Sequence, residues 1–159
     1  MGQPQPGAEA GKKETVRAFI DALNRQDLRE LDALLAEDAT WTISARNIPG
    51  SGVHSKKELL ETMLPSALNI FREGEPRTEI LSMLAEGDTV CAESVSLGHL
   101  RNGTEYNNHY AHVFEVRDGR IAAIREYNDS KHAAEVMAEA VAAGLPLDLG
   151  GGTPFQAGA

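Results

Sequence analysis

The chain predicts an α+β domain, helices first and an antiparallel sheet after them. Three observations carry that expectation. Apolar residues recur at helical spacing as far as Phe71. From residue 77 the period shortens to two. Two glycine turns, Asn102-Gly103 and Asp118-Gly119, then divide the second half into strands.

Taken in order, Val16, Phe19, Ile20 and Leu23 fall on one face of an amphipathic helix. Asp27, with Glu30 three residues on, forms a capping box for a second helix built on Leu28, Leu31, Leu34 and Leu35. Thr40 to Ile43 reads as a short strand. Ser55 and Glu58 repeat the capping box ahead of Leu59, Leu60, Met63 and Leu64. Pro65 has no N–H and kinks or splits that helix, whose pattern resumes through Phe71. Strands are expected at 77–86, 88–100, 105–116 and 120–128. A last helix starts after Asp129 or Ser130 and ends near Gly144, a natural C′ residue with Pro146 beyond it. Residues 1–11 and 144–159 are dominated by Gly, Pro and other poor core formers, so both ends are expected to be disordered. One domain over 12–143 remains.

Composition narrows the function. The 159 residues suit one domain with one core. A net charge of −9 excludes a partner that needs a basic footprint, so no nucleic acid and no anionic membrane surface is expected. Nor is there an apolar run near the roughly 20 residues of a membrane span. The N-terminus carries no apolar leader, and a cytoplasmic location is expected. Cys91 is the single cysteine, which rules out an internal disulfide framework or a Cys-rich zinc site; it reads as a small core residue. His109 and His112 point to opposite faces of a strand, so no metal is expected. His54 and His132 flank helix starts and are expected at the surface. No phosphate loop, dinucleotide fingerprint or Ser-His-Asp motif is visible, and no cofactor is expected.

Register places the remaining polar residues. A two-residue turn at Asn102-Gly103 pairs Arg101 with Thr104, which sets Glu93 opposite His112 and Val95 opposite Tyr110. At the second hairpin a two-residue turn sets Arg125 beside His112. A three-residue turn sets Ile124 opposite His112 and Glu126 opposite Tyr110, and it is preferred because Ile124 then joins Phe114 on the apolar face. The expected result is an apolar face bearing Glu93, His112 and Glu126, with Tyr110 and Asn128 beside them. Carboxylates beside an imidazole on a partly desolvated face suit general acid–base chemistry.

The segments Glu14 to Trp41 and Asn107 to Met137 carry a resemblance. The latter includes Asn107-Asn108-His109-Tyr110, Val116-Arg117-Asp118-Gly119-Arg120-Ile121 and Glu126-Tyr127-Asn128-Asp129. Together they resemble the SnoaL-like, ketosteroid-isomerase-like group of the nuclear transport factor 2-like superfamily, over nearly all of 14–137. The resemblance implies a cone-shaped, cystatin-like fold: a curved antiparallel sheet wrapped on helices around a deep pocket, often a homodimer through the outer sheet face. Ketosteroid isomerases use a Tyr, an Asp and an acid where this chain has Phe19, the vicinity of Ile43, and His112, so two of the three are lost. Limonene-epoxide hydrolases use Asp-Arg-Asp where this chain has Val95, Glu93 and Glu126. SnoaL-like polyketide cyclases fit better, since their His and acid–base Asp match His112 and Glu126.

The reading is therefore a cofactor-independent acid–base enzyme acting on a small hydrophobic carbonyl compound, by aldol cyclisation or isomerisation. Glu126 is the acid–base, His112 its partner, and Glu93 a tuner of His112. Tyr110, Asn128 and Trp41 orient the ligand, and Phe19, Val95, Phe114 and Ile124 form the wall. The alternatives are an epoxide hydrolase or a non-catalytic small-ligand-binding or dimerisation module.

Overall fold

The computed structural model describes residues 6–46 and 48–150. Helices α1 (Pro6–Arg25) and α2 (Leu28–Leu34) lead into strand β1 (Leu35–Ile43) and a short β2 (Gly52–Ser55). A broken helix follows: α3 (Lys56–Glu58), a wider π-helical turn (Leu59–Met63) and α4 (Leu64–Ile70). Strands β3 (Arg77–Glu86), β4 (Thr89–His99), β5 (Glu105–Arg117) and β6 (Arg120–Asn128) and helix α5 (Ser130–Ala142) complete the domain. The six strands form one sheet in the order β2-β1-β6-β5-β4-β3, antiparallel except where β1 runs parallel to β6.

Local signals account for most boundaries. Asp27 accepts from the Glu30 N–H at 3.0 Å and Ser55 from the Glu58 N–H at 3.2 Å, so both expected caps form. Pro65 falls at the start of α4, where its missing N–H is least costly, directly after the wide turn. Leu35 departs from expectation: it leaves the helix and opens β1, because it pairs with Ile121 across the parallel ladder. The short β2 had no sequence signal of its own. Its pairing of His54 with Trp41 turns that histidine inward, fully buried, where Nε2 contacts the Gly50 carbonyl at 2.7 Å. The surface expectation for His54 was wrong for that reason. His132 is half-buried: its Nε2 accepts from the Asn107 N–H and its ring stacks on Tyr106.

Residues 6–11 and 144–150 are more structured than composition suggested. Helix α1 begins at Pro6, inside the segment expected to be disordered. After α5 the chain continues as a strap, in which Leu149 is buried and Leu147 packs on the core. Apolar leucines between the glycines give residues 144–150 something to bury. Residues 1–5 and 151–159 lie outside the described residues.

Bulges bend the sheet around the helices. One extra residue sits in β3 at Leu81, between the Ile80–Ser94 and Ser82–Glu93 pairs. Another sits in β6 at Ala122, between Ala123–Glu115 and Ile121–Val116. Helix α1 lies across the concave face with Val16, Phe19 and Ala22 fully buried. Asn24 ties it to β3 through both backbone groups of Thr78, at 2.7 and 2.8 Å. Beneath α1, β4 presents Val90, Ala92, Ser94, Ser96 and Gly98 inward, mostly small residues that leave room under the helices.

Candidate active site

Between the concave sheet face, α1, α4, α5 and the strap lies a cavity of about 200 Å³. Its helix side is apolar, with Ile20, Met63, Leu64, Val136 and Met137, and Leu149 of the strap closes over it. The sheet wall carries the polar groups: Trp41, Tyr106, Tyr110, His112, Glu126 and Asn128.

Glu126 is at the centre. It is 8% exposed. Its Oε2 accepts from the Trp41 indole N–H at 2.9 Å, and its Oε1 from the Asn128 side-chain amide at 2.9 Å. His112 is its direct partner across β5 and β6, with Nε2 at 3.6 Å from Oε2. The imidazole is fixed by its neighbours. Tyr110 stacks on it at 5.0 Å between ring centres, and Trp41 meets it edge-on at 5.8 Å. His112 Nδ1 is buried with no hydrogen-bond partner among the described residues. A carboxylate held by two N–H donors beside an imidazole, in a mostly apolar cavity, is an arrangement that can transfer protons away from bulk water.

The two tyrosines form a second polar group. Tyr106 and Tyr110 lie four residues apart on one face of β5, and their hydroxyls hydrogen-bond to each other. Asn108, between them, donates to the Tyr106 oxygen at 3.3 Å. Burial pushes the Tyr106 phenol up to about 12, and burial with the adjacent Tyr106 and Glu126 pushes Tyr110 well above its ordinary 10.0. Both are therefore neutral donors in ordinary buffers. Because the folded state holds these protons more tightly, the fold loses stability as pH rises from about 10 through about 12. Phenolate absorbance should show the folded protein ionising fewer than two of its three tyrosines below pH 11. Release of two or more below pH 11 would mean that the pair is solvated.

Five of the ten expected site residues line this cavity: Glu126, His112, Tyr110, Asn128 and Trp41. Glu93 does not. The turn after β4 holds three residues, Arg101 to Gly103, with Leu100 and Thr104 closing it. That moves β4 by one position, so His112 faces Ala92 and Glu93 faces Ala111. Glu93 is exposed on the convex face, where it accepts from Ser82. Val95 turns outward for the same reason, and Cys91 sits half-buried on that face rather than in the core. Phe19, Phe114 and Ile124 point inward but are fully buried beneath the cavity and do not line it. At the second hairpin the turn has two residues, with Asp118 and Gly119 both at positive φ, not the expected three. The bulge at Ala122 then adds a residue and sets Glu126 opposite His112 itself. Sequence reasoning missed Tyr106, which shares the face of Tyr110 by simple alternation. It also missed the strap, whose Leu147 and Leu149 were the available signal.

The SnoaL-like domain family model matches residues 16–124, and the chain belongs to that family. No curated protein matches it in sequence. Solved structures share the fold. An NTF2-like protein from Burkholderia xenovorans LB400 is 23% identical with a TM-score of 0.66, covering 80% of this chain and 95% of its own. TerC, co-crystallised with polyporic acid, is 15% identical with a TM-score of 0.70, over 80% and 98% of the two chains. A protein of ketosteroid isomerase-like fold from Catenulispora acidiphila DSM 44928, in complex with trimethylamine, is 21% identical with a TM-score of 0.60, over 72% and 84%. The SnoaL-like group includes polyketide cyclases and isomerases, and this chain has their fold.

Proposed function

We propose that the protein is a cofactor-independent acid–base enzyme acting on a small hydrophobic carbonyl compound, by enolisation leading to aldol cyclisation or isomerisation. The observation that carries this is a buried carboxylate, Glu126, braced by Trp41 and Asn128, with His112 against it in an apolar cavity. Glu126 takes the proton α to the carbonyl. His112 supports the developing oxyanion or returns the proton. A fixed, water-poor site stabilises that charge better than solvent does. The epoxide-hydrolase reading loses ground, because Val95 and Glu93 lie on the other side of the sheet from Glu126. The test is deuterium incorporation α to the carbonyl in a panel of aryl methyl ketones and cyclic ketones in D2O, followed by NMR. Exchange well above the buffer rate is expected; none on any member would leave the site a binding module.

The same reading includes a homodimer through the convex face. Leu84, Leu97 and Tyr127 are 76, 46 and 48% exposed there. Light scattering should give twice the 17.1 kDa chain mass. Tyr127→Glu, which places a charge opposite Ala111 mid-sheet, should halve it.

A further inference from the structure

The cavity wall contains a donor and an acceptor that the protein itself does not use. Hydrogen-bond counting identifies the donor. Two phenol protons serve Tyr106 and Tyr110, and the bond between their hydroxyls consumes one of them. Asn108 is fixed in orientation, since its Oδ1 accepts from the Asp129 N–H at 3.1 Å, so its amide N–H₂ must face Tyr106. Either hydroxyl can donate in that bond; the cooperative order, in which each hydroxyl accepts once, runs from Asn108 to Tyr106 to Tyr110, and the subsite takes that order. In that order the Tyr110 proton is the one left without an acceptor among the described residues. Burial keeps it in place, because neither phenol ionises in ordinary buffers.

Asn128 supplies the acceptor. Its amide nitrogen donates to Glu126, and a carboxylate only accepts, so the flip is settled and Oδ1 is the other end. That oxygen is buried with no partner among the described residues. A buried acceptor left unpaired is unfavourable. Tyr110 and Asn128 are direct partners across β5 and β6. Side chains so placed have Cβ atoms about 4.5–5.5 Å apart, and both residues line the cavity. The His112–Glu126 pair is the next pair on the same face, two residues along each strand, about 6.5–7 Å away.

We propose that Tyr110 and Asn128 form a hydroxyl subsite, in which a ligand O–H accepts from the Tyr110 phenol and donates to Asn128 Oδ1. Only a group that both gives and takes a hydrogen bond satisfies the pair. A ketone or an ether oxygen accepts from Tyr110 and leaves Asn128 unpaired. The substrate class sharpens accordingly, from any small hydrophobic carbonyl compound to one that also carries a hydroxyl, phenol or enol a few bonds from the reacting carbon. This rests on the acid–base reading for the position of that carbon, but its test does not depend on turnover.

The probes are 4-hydroxyacetophenone, 4-methoxyacetophenone and acetophenone. They offer a donor–acceptor, an acceptor and nothing at the same ring position. Trp41 is the sole tryptophan and lines the cavity, so its fluorescence reports binding. At mildly acidic pH, where the probe phenol is neutral, the hydroxy compound should bind about tenfold tighter than either of the others. In Tyr110→Phe that preference should fall to about twofold or less, with acetophenone binding unchanged. Tyr106→Phe, which keeps the Tyr110 proton, should retain most of it. Equal binding of the three probes to the native protein, no binding of any, or a preference that survives Tyr110→Phe would each overturn the subsite. Glu126→Gln separates the two readings. If it leaves deuterium exchange intact while the native protein shows the hydroxyl preference, the acid–base reading fails and the subsite holds. If exchange collapses in the variant while the three probes bind the native protein alike, the reverse is true.

Discussion

Glutamine at position 126 should lower the turnover-limited rate of α-proton exchange by about 10²–10⁴-fold, the usual worth of a positioned acid–base group. That is about 3–5 kcal/mol at the transition state. The structural cost should be much smaller. Glutamine keeps the shape of Glu126 but replaces one carboxylate oxygen by an amide. The Trp41 indole keeps the remaining oxygen, and the new amide faces Asn128, whose side chain flips to accept it through Oδ1. Exchanging charge-assisted for neutral hydrogen bonds costs about 1 kcal/mol. The expected signature is a collapse of kcat, KM within a few-fold of native, and a urea midpoint close to native. Glu126→Asp supplies the control. It keeps the carboxylate and draws it back by one methylene, so it should retain measurable exchange where the glutamine variant does not. A glutamine variant with native kcat would remove Glu126 from the chemistry and leave the cluster as a self-satisfied polar patch.

How much of this was readable beforehand differs between the two hairpins, and the reason is parity. At the second, the expected three-residue turn and the observed two-residue turn with a bulge at Ala122 differ by two register positions. A shift of two keeps every side chain on its face, so Glu126 and His112 were placed together by a turn that does not exist. At the first, the error was a single position, and it turned Glu93 and Val95 outward. Asn102-Gly103 fits either loop. What decides is remote: the Arg101 N–H donates to the Ile70 carbonyl and its guanidinium to Phe71, docking the loop on the end of α4. No local pattern around residue 102 shows that contact. The run Ala92, Ser94, Ser96, Gly98 held a usable clue, since small residues belong on the face that helices approach most closely. A Cβ on Gly98 would come within 3.0 Å of the Pro76 backbone. The helices were legible because capping and periodicity are local. The cavity was not, because its roof includes leucines of a strap that composition alone assigned to disorder.

Phe19→Ala should destabilise the fold by about 3–5 kcal/mol, as the deletion of a buried phenyl ring generally does. For a chain of this length that lowers Tm by roughly 6–20 °C. The geometry explains why the site suffers with the fold. Phe19 is fully buried, 6.0 Å between ring centres from both Trp41 and Phe114, and edge-on to the latter. Phe114 in turn lies 5.8 Å from His112. The ring thus supports from below the two side chains, Trp41 and His112, that hold and face Glu126. Its expected role as cavity wall implied a different result: altered ligand affinity with stability nearly intact. The two outcomes separate in one pair of measurements. Phe19→Leu, with most of the volume kept, should cost less than about 1.5 kcal/mol and leave acetophenone affinity unchanged. Phe19→Ala should shift the emission of Trp41 even without ligand, because the indole loses a ring that packs beside it. A Phe19→Ala protein with native Tm and weakened binding would instead put Phe19 on the cavity surface and make α1, rather than the sheet, the wall that selects the ligand.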